Sequence, residues 1–307
     1  MCNTSKHLFG PVISRRYGRS LGVDMVPPKS CPLNCIFCQL GATQTTAVMP
    51  VDKPDVREII DEIKCWIDAG GQADIITLAG SGEPTLHRHF GEVLLFIKQK
   101  TDFNSLLLSN GALFFKEEVR RQATDADVVK LSLHAWDQTS FERVTRADKR
   151  LKFKAIIDGY QKFRGVFNGR IDVEVFVIPG INDTPSQMRR IAAIAQSFAP
   201  DSIFLNTAVR PPASAAVQAA SPMVIAELTA LFGEVATRSP LSTITAQLPY
   251  SDEQVIRLTA RHPTSINQLA GQFNISEDRL HLELTRMKRE GVIAFQELNG
   301  EVFITHA

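Results

Sequence analysis

The sequence predicts an α/β fold in which six βα units build a parallel sheet, followed by a small unit of a different kind. From about residue 21 to residue 207, short β-branched or Leu-rich runs alternate with longer amphipathic stretches, which is the pattern of repeated βα units. After Tyr250, three helical stretches precede two short strands that flank Asn299 and Gly300. That order is typical of a winged helix.

Each predicted strand is a short apolar run that ends at a polar or glycine-containing segment. The six strands are predicted at residues 21–26, 74–78, 105–109, 128–133, 171–178 and 202–206. Between the first two, Asp55 caps a predicted helix whose apolar residues share one face before Gly70 and Gly71 end it. Further helices are predicted near 223–235, 251–260, 265–271 and 276–290.

Charge and hydropathy exclude several classes of protein. Lys and Arg total 34 against 33 Asp and Glu, so the net charge of +1 provides no general attraction to nucleic acid or anionic lipid. The longest apolar runs are far too short to cross a bilayer, and residues 1–10 lack the apolar core of a signal peptide. We therefore expect a cytoplasmic protein without a membrane anchor.

Three of the five cysteines lie within eight residues. Cys31, Cys35 and Cys38 have the spacing C-x3-C-x2-C, so one loop can direct three thiolates at one inorganic cluster and leave one iron open. A small molecule with an amine and a carboxylate, such as S-adenosylmethionine (SAM), can chelate an open iron. The alternatives are three unrelated thiols or a zinc site, although zinc usually takes four protein ligands and no second cysteine pair follows.

Polar side chains mark the ends of the predicted strands. In a parallel barrel the loops after the strands share one mouth, so functional residues are expected there. The second strand runs into Gly80-Ser81-Gly82-Glu83-Pro84, and the third into Ser109-Asn110-Gly111. On the fourth, Lys130, Ser132 and His134 share the face opposite Val129 and Leu131. Ligand binding is favoured for this polar face, and an internal hydrogen-bond network is the alternative.

The cysteine loop, followed by Gly80-Ser81-Gly82-Glu83-Pro84 after the second strand, resembles the radical SAM superfamily. The resemblance implies a partial (β/α)6 TIM-like radical SAM barrel over residues 21–248, with a basic segment at 1–20 before it and a winged-helix-like domain at 249–307 after it. It also implies a [4Fe-4S] cluster on Cys31, Cys35 and Cys38, with SAM as the second cofactor.

The same resemblance implies which residues bind SAM. The adenine is expected near Phe37, and the methionine amino group near Gly80, Ser81, Gly82 and Glu83. The ribose and carboxylate are expected near the ends of the third and fourth strands, at Ser109, Asn110, Ser132 and His134. Ile178 and Asn206 are expected to flank the adenine.

Asp172 and Glu174 share one face of the fifth predicted strand. For these carboxylates, a structural ion pair with Lys130 is favoured.

The implied reaction begins with an electron from a flavodoxin or ferredoxin. SAM is then cleaved to methionine and a 5′-deoxyadenosyl radical, which abstracts hydrogen from a substrate such as RNA, protein or peptide. Residues 9–24 and 38–41 resemble a poorly characterised branch related to wyosine synthases, which modify tRNA and carry a second cluster. Cys2 and Cys65 are the only other cysteines and cannot supply that cluster, so only the shared chemistry carries over.

The charges of the two ends of the chain bear on the choice between binding and solvation. Residues 1–30 carry five Lys or Arg side chains, among them Arg15 and Arg16, and Asp24 is their only acidic residue. This excess of positive charge fits contact with an anionic substrate and a solvated basic segment equally well. Residues 251–307 contain six Lys and Arg against eight Asp and Glu, so DNA binding is not expected there. Protein contact or substrate recruitment is favoured, and a cluster-bearing redox sensor is the alternative function.

Overall fold

Seven strands form one sheet in a computed structural model that describes residues 6–14, 16–236, 250–298 and 300–307. Their spatial order follows the chain; the first pair is antiparallel and every later pair is parallel. The strands are β1 Leu8–Ser14, β2 Gly18–Asp24, β3 Ile75–Ala79, β4 Asn104–Leu108, β5 Val128–Ser132, β6 Arg170–Phe176 and β7 Ser202–Asn206. Because consecutive parallel strands neighbour one another, their carboxyl ends form one edge at which the loops converge.

Helices in the connections cover the sheet. They are α1 Val56–Asp68, α2 Phe90–Lys100, α3 Glu117–Ala123, α4 Gln138–Thr145, α5 Phe153–Arg164, α6 Pro185–Gln196 and α7 Pro222–Thr229, with short 3-10 segments at Pro84–Leu86 and Ala230–Val235. Asp55 caps α1 as predicted, because its carboxylate accepts the Arg57 N–H. None of the helices in the described ranges is long and apolar enough to span a membrane.

The two faces of the parallel strands differ as the sequence predicts. Val129 and Leu131 on β5 are fully buried and join the core beneath the helices, whereas Lys130 and Ser132 on the opposite face are only partly buried. This alternation confirms the mixed α/β architecture with a parallel sheet. The interior face is therefore available for polar groups that bind one another or a ligand.

The edge strand β1 was not predicted. The expected N-terminal basic segment contains this strand and the start of β2, and the register between β1 and β2 shifts between Phe9 and Val12. Gly10 and Pro11 lie at that shift and weaken the strand signal in the sequence, since proline is confined to edges and irregular positions of a sheet. Arg15 lies outside the described residues.

The C-terminal unit, here residues 250–298 and 300–307, has its own core and a three-stranded sheet in the order β8-β10-β9. Its elements are α8 Asp252–Arg261, β8 Thr264–Ser265, α9 Ile266–Phe273, α10 Glu277–Arg289, β9 Ile293–Leu298 and β10 Glu301–His306. The three helices and two long strands follow the predicted order, and β8 is additional. The predicted turn residue Asn299 and the predicted boundary at 248/249 lie outside the described residues.

This unit packs on the edge of the large sheet. Val12 of β1 contacts its core. Gln272 Nε2 donates to Pro11 O at 3.0 Å, and Arg210 Nε, after β7, donates to Pro263 O at 2.9 Å. The C-terminal unit is therefore bound both to the start of the sheet and to the segment that leaves its last strand.

Candidate functional site

The three clustered cysteines lie on the loop that follows β2. Cys31, Cys35 and Cys38 are half-buried free thiols. Two backbone N–H groups of this cysteine loop (residues 31–38) donate to carbonyls at the C-terminal end of α4, at 2.8 and 3.1 Å. A tight turn, closed by a 3.1 Å bond from Cys38 N–H to Cys35 O, keeps the last two cysteines close together. The loop is thus held in place by its neighbours on the sheet.

Burial controls the chemistry of these thiols. It raises the pKa of all three, to about 12 for Cys31. Two N–H groups point at Cys31 Sγ, Leu33 N at 3.4 Å and Asn110 Nδ2 at 3.3 Å. Such thiols keep their protons until a metal group displaces them. Three sulfur donors with N–H groups directed at sulfur fit an iron–sulfur cluster, whose potential depends on such bonds.

A single metal ion and a polynuclear cluster make different demands on three cysteines. In a cluster each thiolate ligates its own iron rather than a shared centre. Within the described ranges, no group of three or more His, Cys, Asp or Glu side chains is gathered around one metal position.

A buried ammonium lies beside this loop. Lys29 Nζ is shielded from solvent and has no hydrogen-bond partner among the residues that the structure describes. Burial lowers the pKa of Lys29, and the Cys38 and Cys31 thiols oppose that shift. Because an unpaired buried cation is costly, the surroundings of Lys29 fit an anionic group such as a thiolate-ligated cluster.

The glycine loop (residues 80–84) follows β3 and lies directly on Lys29 and Ser30, which immediately precede the cysteine loop. Lys29 N–H donates to Ser81 O at 2.7 Å, and Glu83 N–H donates to Ser30 O at 2.8 Å. A Cβ on Gly82 would lie 2.2 Å from Ser30 O, so only glycine permits this approach. The structure therefore brings the two predicted motifs together.

Asp24, at the end of β2, fixes the other side of the glycine loop. Its carboxylate accepts bonds from both the backbone N–H and the hydroxyl of Ser81. Gly80 has φ of +127°, and a Cβ there would lie 2.6 Å from the Asp24 carboxylate. The absence of a side chain at Gly80 thus makes room for the Asp24 carboxylate. The sequence did not predict this contact.

Glu83 is directed at the protein rather than at open space. It is 2% exposed. Its Oε1 accepts from Thr85 N–H, Thr85 Oγ1 and Ser109 Oγ at 3.1, 2.6 and 2.7 Å, and its Oε2 accepts from Asn110 N–H at 2.7 Å. Burial raises its pKa, and these bonds oppose the rise. The resemblance implies the methionine amino group near Glu83, and the sequence left hydrogen bonding or an ammonium partner open. In the structure the carboxylate joins the glycine loop to the end of β4 by hydrogen bonds.

Several predicted cofactor residues line one small cavity. Phe37, Asn110, Ser132 and His134 line a cavity of about 90 Å³ together with Cys35. Asn110 Oδ1 is held by the Ala112 N–H at 2.8 Å, which leaves Nδ2 directed at Cys31. The predicted residues from the cysteine loop, β4 and β5 are thus neighbours in space.

Aromatic contacts fix Phe37. Its ring stacks on Phe176 at 4.2 Å between centroids and meets the edge of His134 at 4.9 Å. Phe176 N–H donates to His134 Nδ1 at 2.9 Å, so the neutral imidazole carries its proton on Nε2. Burial lowers the pKa of His134 to about 4. Phe176 was missed by the sequence prediction, although it ends the apolar run of β6.

The last two predicted cofactor residues, Ile178 and Asn206, lie in different surroundings. Ile178 belongs to a small apolar cluster that includes Phe176 and is packed against by Phe37, so it lies near the aromatic group. Asn206 Nδ2 instead donates to Glu174 Oε1 at 3.3 Å. Asn206 is therefore part of a polar network within the barrel.

That network is the ion pair favoured from the sequence, with an added member. Glu174 pairs with Lys130 Nζ at 2.8 Å and with Arg16 Nη1 at 2.9 Å. Burial alone would raise the pKa of Glu174, but Lys130 and Arg16 outweigh burial and hold it well below its usual range. Asp172 accepts from Tyr17 OH at 2.8 Å. Arg16 thus has a structural partner, where the sequence left substrate contact open.

A large cavity lies between the barrel and the C-terminal unit. Its volume is about 760 Å³. Gly80, Gly82 and interior side chains of β2, β3 and β4 line one side, and α8 and α9 line another with Arg261 and Gln272. Arg261 Nε also bonds Asp24 Oδ2 at 2.8 Å, across 237 positions of the chain. One residue of the C-terminal unit therefore touches the carboxylate that holds the glycine loop.

Comparisons with known proteins concern the family and the fold of the chain. The model of the radical SAM superfamily matches residues 25–192. A protein named GTPase Obg from Brachyspira hyodysenteriae is 32% identical over 302 residues, which cover 96% of this chain and 44% of that protein. The chain thus spans less than half the length of that relative.

Two further comparisons cover more of the matched protein. A UPF0026 protein of Methanocaldococcus jannaschii is 26% identical over 307 residues, 96% of this chain and 94% of that one. The crystal structure of a radical SAM methyltransferase from Sphaerobacter thermophilus has a TM-score of 0.55 at 18% identity and covers 71% of this chain and 65% of that one. This last similarity concerns the fold.

Proposed function

The chain belongs to the radical SAM superfamily, and on that premise we propose that it abstracts hydrogen from an organic substrate bound above the barrel. It is an enzyme with a [4Fe-4S] cluster and SAM as its cofactors. When bound, the two supply reductive cleavage of SAM to methionine and a 5′-deoxyadenosyl radical. The observation that carries the proposal is the convergence of the cysteine loop, the glycine loop and Asn110 at the ends of adjacent strands.

We assign the cluster to Cys31, Cys35 and Cys38 and SAM to the surface where the glycine loop meets the cysteine loop. Gly80 and Gly82 permit the close approach of Asp24 and Ser30 that shapes this surface, and Ser81 turns its hydroxyl to Asp24. Phe37, Asn110, Ser132, His134 and Ile178 are assigned as further neighbours of SAM. Glu83 and Ser109 act by holding the loop, and Asn206 by holding Glu174.

We assign the cavity of about 760 Å³ to the substrate. Sites for small molecules typically measure about 300–1,000 Å³. A small molecule fits this volume, as does one nucleotide of an RNA or one side chain of a protein or peptide. A C–H bond must lie close to the radical for transfer to compete with side reactions, and the walls of this cavity include the glycine loop.

The C-terminal unit is proposed as a winged-helix-like domain that forms one wall of the substrate site. Its charges do not favour the redox-sensor alternative. On α10, Arg286 is engaged by Asp252, Glu283 and Glu290 at 2.6, 3.2 and 3.0 Å, so this cation is already neutralised. A DNA-binding helix needs cations directed at phosphates.

Electrons are proposed to come from a flavodoxin- or ferredoxin-type protein. Besides the three cysteines of the loop, the sequence contains only Cys2 and Cys65, too few for a second cluster with three or four cysteine ligands. We therefore assign the electron to a donor outside these residues rather than to a second cluster held by them. Binding of reduced donor to the loaded enzyme, measured by chromatography, tests this assignment.

Anaerobic reconstitution tests the proposed cofactors. Wild type should take up about four irons and sulfides per chain, the composition of a [4Fe-4S] cluster. After reduction with dithionite, addition of SAM should change the electron paramagnetic resonance spectrum, since SAM chelates the open iron. Uptake of zinc instead, with no response to SAM, would contradict the assignment.

A further inference from the structure

Lys29 bears a cation that the mechanism above does not use. Its Nζ is shielded from solvent and has no hydrogen-bond partner within the described ranges. Burial of an ammonium without compensation is unfavourable. The nitrogen is therefore arranged for an acceptor that is not part of the polypeptide described here.

The position of Lys29 identifies the direction of that acceptor. Its backbone N–H donates to Ser81 O at 2.7 Å, so the residue sits where the cysteine and glycine loops join. A Cβ built on Gly41 would lie 3.4 Å from Nζ, and Gly41 N–H bonds Cys38 O at 3.1 Å. Nζ thus lies against the turn that carries Cys38.

The backbone of Lys29 adds a second observation. Its φ is +64°, in the left-handed region that favours glycine. A glycine would relieve this strain but would leave no ammonium beside the loop. The local strain is consistent with a role for the charge.

We propose that the Lys29 ammonium compensates the negative charge of the cluster and raises its reduction potential. This inference rests on the proposed function, because it requires a cluster on the three cysteines. A [4Fe-4S] cluster held by three thiolates is net negative, and a one-electron reduction by an external donor makes it more negative. A fixed cation nearby stabilises the reduced form more than the oxidised form.

The test is a redox titration of the reconstituted, SAM-free enzyme, followed by electron paramagnetic resonance. In Lys29→Met the ratio of reduced to oxidised cluster at a given potential should fall about tenfold, which corresponds to about 59 mV for one electron. Lys29→Arg keeps the charge and should stay near wild type. Lys154→Met, which removes an exposed lysine paired with Asp158, is the matched control.

Iron content and thermal melting establish that each variant is folded and loaded, and the SAM dissociation constant is measured on the same samples. An unchanged potential with weakened SAM binding would assign Lys29 to SAM and overturn the inference. An unchanged potential with unchanged SAM binding would overturn it as well.

If Lys29→Met loses its cluster, the reduction potentials of Lys29→Gln and Lys29→Arg are compared instead. A more negative reduction potential in Lys29→Gln than in Lys29→Arg supports the proposal, and equal potentials contradict it. Failure of wild type to take up iron would instead reject the proposed function itself. The two failures are therefore distinguishable.

Discussion

His134 illustrates how burial determines the protonation state of one side chain beside Phe37. It is 7% exposed, and its Nδ1 accepts the Phe176 N–H at 2.9 Å. Burial lowers its pKa to about 4, whereas a histidine in an unfolded chain titrates near 6.5. The folded enzyme thus keeps a neutral imidazole at neutral pH.

This shift predicts a pH dependence of stability. Between about pH 6.5 and pH 4, His134 is protonated in the unfolded chain and neutral in the folded chain. The free energy of unfolding therefore falls as the pH falls through this range. The loss attributable to His134 is about 2 kcal/mol between pH 7 and pH 5. Urea denaturation of wild type and His134→Gln measures it. Equal losses in the two proteins would contradict the prediction.

Some residue assignments depend on local sequence and others on the fold. The cysteine spacing is local, so Cys31, Cys35 and Cys38 are proposed as cluster ligands from the sequence alone. Asp24 and Glu83 instead take their roles from distant partners. The sequence shows a carboxylate in each case but not the donors, Ser81 and Ser109 among them, that satisfy it.

The packing of the glycine loop against the start of the cysteine loop depends on a close approach of Gly82 to the backbone of Ser30. A Cβ on Gly82 would lie 2.2 Å from Ser30 O, which is backbone and cannot rotate away. Gly82→Ala should therefore separate the glycine loop from the cysteine loop and weaken SAM binding about tenfold or more, since several contacts are lost together. Titration of the spectral change caused by SAM measures the effect.

The matched control is Gly165→Ala at the end of α5. A Cβ there meets only ordinary contacts at 3.5 and 3.8 Å, and the backbone is right-handed. SAM binding should be unchanged in this variant. If Gly82→Ala also binds SAM like wild type, the contact between the two loops does not shape the site.

Element by element, the sequence predicted the six strands β2 to β7 because each contains a short β-branched or Leu-rich run between polar loops. The strand β1 lacks that signal, since Gly10 and Pro11 interrupt it where the register shifts. It forms because tertiary contacts supply what local propensity does not. Its partner strand β2 and the core of the C-terminal unit both pack against it.

At the scale of the whole molecule, Arg261 connects the C-terminal unit to the glycine loop. Its Nε bonds Asp24 Oδ2 at 2.8 Å, and Asp24 in turn holds Ser81. The side chains of Arg261 and Asp24 are 15% and 6% exposed, so the pair is largely desolvated. Loss of one partner leaves a buried charge.

Arg261→Met should lower the free energy of unfolding by about 3 kcal/mol and weaken SAM binding, with partial recovery in Arg261→Lys. Arg257→Met is the control, because Arg257 lies on the same helix and pairs with Glu253. Denaturation and SAM titration together measure both effects. Reduced stability with unaltered SAM affinity would show that Arg261 only attaches the C-terminal unit.

The sequence predicted the two units but not their contact. Helix periodicity and the final pair of strands are local properties, whereas the bond between Arg261 and Asp24 spans 237 positions. The cavity between barrel and C-terminal unit follows from that packing, so sequence reasoning did not predict it. Charge counting disfavours DNA binding by the C-terminal unit, and Arg286 of that unit is paired with Asp252.

We propose that the cysteine loop and the glycine loop together support reductive cleavage of SAM. The decisive measurement is chromatography of 5′-deoxyadenosine after dithionite reduction of the reconstituted enzyme, with Cys35→Ala as the comparison. Wild type should form 5′-deoxyadenosine, and the variant should form none above background. The proposal is wrong if wild type holds a full cluster and binds SAM but forms no 5′-deoxyadenosine, or if both proteins form equal amounts.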